Sequence, residues 1–172
     1  MPFIGNKPTA VPLTSADLED GIITSAKLAA GVGGKVLQVV SARVNTETST
    51  TSSSMVATDT EVSITPSSTS SKIFVIVTSG LFWCNSTSAS AQGGTATIYR
   101  NSTNLSNTWL VRTFRIGATS IQTAAAMSFL DSPSSTSALT YKCYIASTFG
   151  GTIQWNSSDN DIATITAMEI EG

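Results

Sequence analysis

From Lys35 onward the chain is a succession of short strand-like runs, spaced regularly and separated by Gly, Pro, Asn and Ser turns. No other feature limits the fold as much. Thr60-Glu61-Val62-Ser63-Ile64-Thr65 alternates polar and apolar residues, the pattern of a strand with one wet face. Ala138–Ala146 also alternates, with Leu139, Tyr141, Cys143 and Ile145 on one side. Lys72–Trp83 is apolar on both faces, which suits a central strand covered twice. Further strands are expected at Lys35–Val44, Thr95–Arg100, Thr108–Phe114, Ile121–Leu130 and Gly151–Asn156. Ala124-Ala125-Ala126-Met127 fits a helix by composition, but the run is short and flanked by strands, so strand is preferred. Ile162–Ile170 is apolar and alternating, as befits a strand held in the middle of a sheet. The intervening segments Asn45–Ser54, Ser67–Ser71, Ser86–Gly94, Asn101–Asn107 and Asp131–Pro133 read as loops or turns. About eight or nine such strands predict an all-β chain, an antiparallel β-sandwich of jelly-roll type.

The first thirty-four residues have a different character. Thr14-Ser15-Ala16-Asp17-Leu18-Glu19-Asp20-Gly21 returns as Thr24-Ser25-Ala26-Lys27-Leu28-Ala29-Ala30-Gly31. Each unit reads as a helical turn, capped by Thr14 or Thr24 and closed by Gly21 or Gly31. One large apolar residue per unit cannot form a core, because ordering each residue costs about 1–2 kcal/mol. The segment must therefore dock on something larger. Residues 1–34 are read as an extended or helical-turn anchor with repeats at 14–21 and 24–31, and residues 35–172 as the head. Phe3, Ile4, Leu13, Leu18, Ile22, Ile23 and Leu28 are the expected docking contacts. Burying each would contribute roughly 1.5–3 kcal/mol. Asp17, Glu19 and Asp20 read as the solvated face of the first turn, Asp17 being favoured near its N-terminus.

Composition excludes several classes of function. The chain has no histidine, which removes His-based acid/base catalysis, Ser-His and Cys-His pairs and most zinc sites. The carboxylates are scattered, so no enzyme is expected, and no cofactor. A net charge of −2 with few basic residues argues against nucleic acid as a partner. Arg112 and Arg115 are the one close basic pair, read as solvated strand positions. No apolar run reaches bilayer length and Met1–Pro8 lacks a signal-peptide core, so neither membrane insertion nor secretion is expected. Ser and Thr make up roughly a third of the chain, which suggests a neutral, hydroxyl-covered exterior. Cys84 and Cys143 fit no metal spacing; two buried thiols or a disulfide both remain open.

Large aromatic side chains are the plausible ligand-contacting groups. Trp83, Tyr99, Trp109 and Trp155 are the candidates for a glycan or receptor surface, against the alternative of core or intersubunit packing. Trp83 and Trp155 border loops, whereas the parity of Tyr141 points it to the core. Asp159 and Asp161, near Asn156 and Asn160, offer oxygens for calcium, but their spacing is not that of an EF-hand, and a solvated hairpin is the preferred reading. No metal site is expected.

Five segments then carry a resemblance: Lys72–Trp83, Ile98-Tyr99-Arg100-Asn101, Phe129-Leu130-Asp131-Ser132-Pro133, Thr140-Tyr141-Lys142 and Thr166-Ala167-Met168-Glu169-Ile170. With them the head resembles the C1q/TNF-like jelly-roll domains of tailed-bacteriophage appendages. The repeats are similar to those preceding such heads in phages of marine bacteria and cyanobacteria. The resemblance implies a homotrimer on the virion surface, made in the host cytoplasm and attached to tail or capsid proteins through residues 1–34. The expected function is a short fibre or spike that exposes its head for host-surface adhesion. A capsid decoration or head-fibre protein is the alternative, and a free lectin-like module a remote one. The repeat stops after two units, where a long fibre would continue.

Overall fold

The computed structural model of the protein describes residues 35–85, 92–115, 120–156 and 160–172. They form eleven strands and no helix. The strands are β1 (Val36–Val44), β2 (Thr48–Thr50), β3 (Val56–Ile64), β4 (Lys72–Asn85), β5 (Gln92–Arg100), β6 (Thr103–Asn104), β7 (Val111–Arg115), β8 (Ile121–Asp131), β9 (Leu139–Thr148), β10 (Thr152–Trp155) and β11 (Ala163–Ile170). The Ala124–Met127 stretch lies within β8, as its flanks require.

Two antiparallel sheets face each other. The first runs β1-β11-β4-β10-β2, with β8 on the other edge of β4. The second runs β3-β9-β5-β6, with β7 also on β5. β4 organises the first sheet: β8 follows one edge from Ile73 to Cys84, while β11 and then β10 share the other. Without the short β2, β6 and β10, the sheets read β1-β11-β4-β8 and β3-β9-β5-β7. Counted along the eight main strands, these are 1-8-3-6 and 2-7-4-5, the jelly-roll order. The fold expected from the strand pattern is therefore present, with β11 in the sheet interior between β1 and β4.

Several boundaries differ from expectation. The strands number eleven rather than eight or nine. β2 lies inside the expected Asn45–Ser54 loop and pairs with β10, and β6 lies inside Asn101–Asn107 and pairs with β5. Both are two- or three-residue edge pairings without hydrophobic alternation, so no period announces them. β5 begins at Gln92 rather than Thr95. Its two glycines belong to the strand because Gly94 faces the core: a Cβ there would meet Ile153 Cγ2 at 2.8 Å and Phe82 Cζ at 2.9 Å. Asp131 is the buried last residue of β8 rather than a turn residue.

The core lies between the sheets. β4 supplies Ile73, Val75, Val77, Phe82 and Cys84; β9 supplies Leu139, Tyr141, Cys143 and Ile145; β10 supplies Ile153 and Trp155. The parity predicted for β9 holds. Phe82 meets Trp155 edge-on, with ring centroids 5.6 Å apart. Both cysteines are buried, and neither is in a disulfide. Burial pushes the Cys143 thiol far above its ordinary value, which leaves it protonated and inert.

The opposing sheet supplies one of the two covers expected for β4. Its inner face is buried, but Phe74, Ile76, Thr78, Leu81 and Trp83 on the outer face are only partly buried. A single copy of the head thus leaves one apolar sheet face half in water.

Candidate functional site

Exposed apolar side chains mark where a folded surface is unfinished. Apart from Ile162, the large ones described in the head fall into two groups of different chemistry on the two sheets.

The first group is apolar and carries no charge. Strand register places Val39 of β1, Met168 of β11, Phe74 of β4 and Leu130 of β8 side by side, an apolar row across four strands. Val39 is 55% exposed and Leu130 49% exposed. Cross-strand neighbours on one face touch, so the row is a continuous ridge. Val36 and Leu37 at the start of β1 extend the exposed apolar surface. The next row is Ser41, Thr166, Ile76 and Ser128, and the one after it Arg43, Thr164, Thr78 and Ala126. In these rows Ser41 bonds Thr166 at 3.0 Å and Thr78 bonds Thr164 at 2.7 Å. An open cleft of about 430 Å³ borders the ridge, lined by Phe74, Ile76, Leu110, Ala126, Met127 and Ser128.

The second group is aromatic and cationic. β7 points Arg112 and Phe114 outward on the same face, because they are two residues apart. The Arg112 guanidinium lies 5.6 Å from the Trp109 ring centre and 5.4 Å from both the Phe114 and Phe149 ring centres. Phe114 and Phe149 meet edge-on, with centroids 6.0 Å apart. Trp109 and Phe114 are each 46% exposed and Phe149 is 63% exposed. Phe149 has φ +69°, and Gly150 and Gly151 continue at +76° and +108°. Glycine accepts this conformation freely, whereas phenylalanine pays steric strain for it. The turn therefore holds a large ring out of the body of the protein.

The candidate aromatics scatter over the head. Trp155 is a correction: it is fully buried, and its indole N–H donates to Thr60 Oγ1 at 3.0 Å, so it is a core residue and cannot meet a ligand. It borders a loop in sequence, but its place in β10 turns it inward. Trp83 is half-buried on the outer face of β4, between Gln122 and Gln154 on the neighbouring strands. Its indole nitrogen is buried without a hydrogen-bond partner. Tyr99 is half-buried on the other sheet, stacked on Tyr144 at 3.9 Å. Of the four candidates, Trp109 alone joins the exposed cluster. Arg112, Phe114 and Phe149 were missed. A usable signal existed in Phe149 immediately before two glycines, and in the shared parity of Arg112 and Phe114. The docking candidates Phe3, Ile4, Leu13, Leu18, Ile22, Ile23 and Leu28 lie outside the described residues, as does Asp159.

The buried charges are structural. Both carboxylate oxygens of Asp131 lie 2.8 Å from Arg100 Nη1, and the Tyr141 hydroxyl donates to Asp131 Oδ2 at 2.6 Å. Burial raises the Tyr141 phenol well above its ordinary value, and the bond to Asp131 raises it further. Glu169 is fully buried at the end of β11. Its Oε1 accepts the Ser67 backbone N–H and hydroxyl, each at 2.6 Å, and its Oε2 accepts Gln38 Nε2 at 2.6 Å. Burial pushes its carboxyl up, but these bonds and the pull of the nearby Ser71 hydroxyl outweigh burial and hold it near 2 rather than 4.5. On the outside of the second sheet, Lys142 pairs with Glu61. Among the described residues no group of three or more His, Cys, Asp or Glu side chains is arranged to hold a metal ion. Compared with known proteins, the chain matches no family model and no curated relative.

Proposed function

We propose that the chain is a structural protein of a phage virion, a short trimeric fibre or spike held by residues 1–34 with its head turned to the host surface. The observation that carries this reading is the separation of the two exposed groups. An apolar ridge without charge on one sheet suits contact between copies, where like surfaces meet around a closed axis. An aromatic and cationic cluster on the other sheet stays open to a partner. The resemblance of the head to phage appendage domains supplies the setting, and the low charge and hydroxyl-rich surface agree with it.

Light scattering on the purified full chain is expected to return a trimer; a monomer overturns the assembly. Quantitative mass spectrometry of purified particles of a phage that encodes the protein is expected to give a small copy number that matches tail symmetry. A number comparable with the major shell protein would assign it to the capsid instead, as a decoration or head-fibre protein. The two-unit repeat, short for a shaft, favours that second reading. Absence from purified particles refutes both.

A further inference from the structure

The Arg112 cluster combines features that core packing does not need. Three rings without charge surround one guanidinium, and no carboxylate pairs with that guanidinium among the described residues. Arginine held against aromatic faces keeps its N–H edges free while its plane is fixed, so little side-chain freedom is left to lose on binding. Those edges match a carboxylate bidentately. The exposed faces of Trp109, Phe114 and Phe149 offer rigid apolar area to the C–H face of a pyranose ring. Phe149 is presented by a strained backbone, a feature that persists where function rather than stability maintains it. The cluster is built on β7 of the second sheet, whereas the ridge is built on the first.

We infer that Trp109, Arg112, Phe114 and Phe149 form a binding site for an acidic saccharide, a uronic acid of a host-surface polysaccharide. The carboxylate lies on the Arg112 guanidinium and the sugar ring on the aromatic faces. This rests on reading the head as an adhesin and adds the ligand class and the residues. A neutral sugar leaves the guanidinium without a counter-charge. A purely apolar peptide would have to cover it in a dry contact, at a desolvation cost.

The test is a glycan array probed with the full chain, on which uronate oligosaccharides are printed beside their methyl esters and neutral sugars. The expected result is binding to free acids and not to the esters, weakened at least tenfold in R112A and in F149A and weakened by added salt. R112K is expected to fall short of the parent, because a lysine cannot form the two-point contact. Thermal melts that match the parent show that the variants are folded. Binding to acids and esters alike overturns the acidic class and leaves adhesion standing. Binding to acids that R112A retains overturns the site. No binding to any glycan overturns the site and the glycan-adhesion reading together. Loss of the trimer in R112A would make this face a contact between copies, and overturns the proposal.

Discussion

Glu169→Gln tests the buried end of the sandwich. In the parent, three donors converge on one carboxylate: the Ser67 N–H and hydroxyl on Oε1 and the Gln38 amide on Oε2, all at 2.6 Å. The side chain is fully buried, so none of the three exchanges easily for water. An amide removes the charge and turns one acceptor into a donor that faces a donor. Gln38 cannot simply rotate to accept, because its amide also donates to the Thr65 carbonyl at 2.7 Å. Hydrogen bonds to a charged group contribute about 1.5–3 kcal/mol each, and partial rearrangement of the Ser67 hydroxyl recovers some of this. The expected loss is about 2–4 kcal/mol, roughly 10 °C in melting midpoint for a domain of this size. The pH dependence gives the second arm. The folded-state carboxyl is depressed from 4.5 to about 2, so its stabilisation is complete above the unfolded value and is lost as the pH falls from 4.5 through 2. Urea melts of parent and E169Q at pH 7, 4.5 and 2.5 should show a wide gap at pH 7 that narrows on acidification. Two protein concentrations separate unfolding from dissociation. A variant as stable as the parent at pH 7, or a gap constant across the series, would refute the reasoning.

Three further outcomes are expected. Leu130→Ala removes half-exposed apolar area worth about 1 kcal/mol per copy, or about 3 kcal/mol in a trimer, so sedimentation should show association weakened roughly a hundredfold with an unchanged fold; undiminished association would remove the ridge from the interface. Tyr141→Phe deletes the donor on Asp131 but leaves Arg100 in place, and urea melts should show a loss of about 1–2 kcal/mol; a neutral result would mean the phenol contributes packing alone. Trp155→Ala should cost about 3–5 kcal/mol in chemical denaturation, while Trp109→Ala should stay within about 0.5 kcal/mol of the parent; the reverse order would contradict their assignment to core and surface.

The fold was legible where hydrophobic period and burial coincide. β3, β4, β9 and β11 bury alternate residues against a second sheet, and their runs show it. β2 and β6 were not legible, because short edge pairings draw on backbone hydrogen bonds that leave no trace in side-chain type. Asp131 looked like a turn residue because carboxylates are usually wet; its partner Arg100 lies thirty-one residues earlier, and only the fold brings them together. The same holds for Glu169, whose donors Ser67 and Gln38 are 102 and 131 residues away. The candidate surface was half legible. Trp109 was named for its size alone; Trp155 was named for its size and its place beside a loop, yet it is fully buried. The cluster is an encounter between β7 and the turn after β9, which no local pattern encodes.

The place of β11 has a consequence for how the head comes into being. Among the described residues β1 pairs only with β11, with Val44 opposite Ala163 and Val36 opposite Ile170. β4, the strand that organises the first sheet, also waits for β11 along Lys72–Thr78. A ribosome has made every other described strand before it makes this one. Until then the sheet has a gap in its middle, β1 lacks the strand it pairs with, and Ile165 and Ala167 are missing from the core. Such long-range closure makes folding slow and close to all-or-none. A nascent chain stalled before Ala163 should hold no native head, and so no finished ridge with which to recruit a sister copy. In the assembly proposed above, pairing between copies is thereby deferred until synthesis has passed β11.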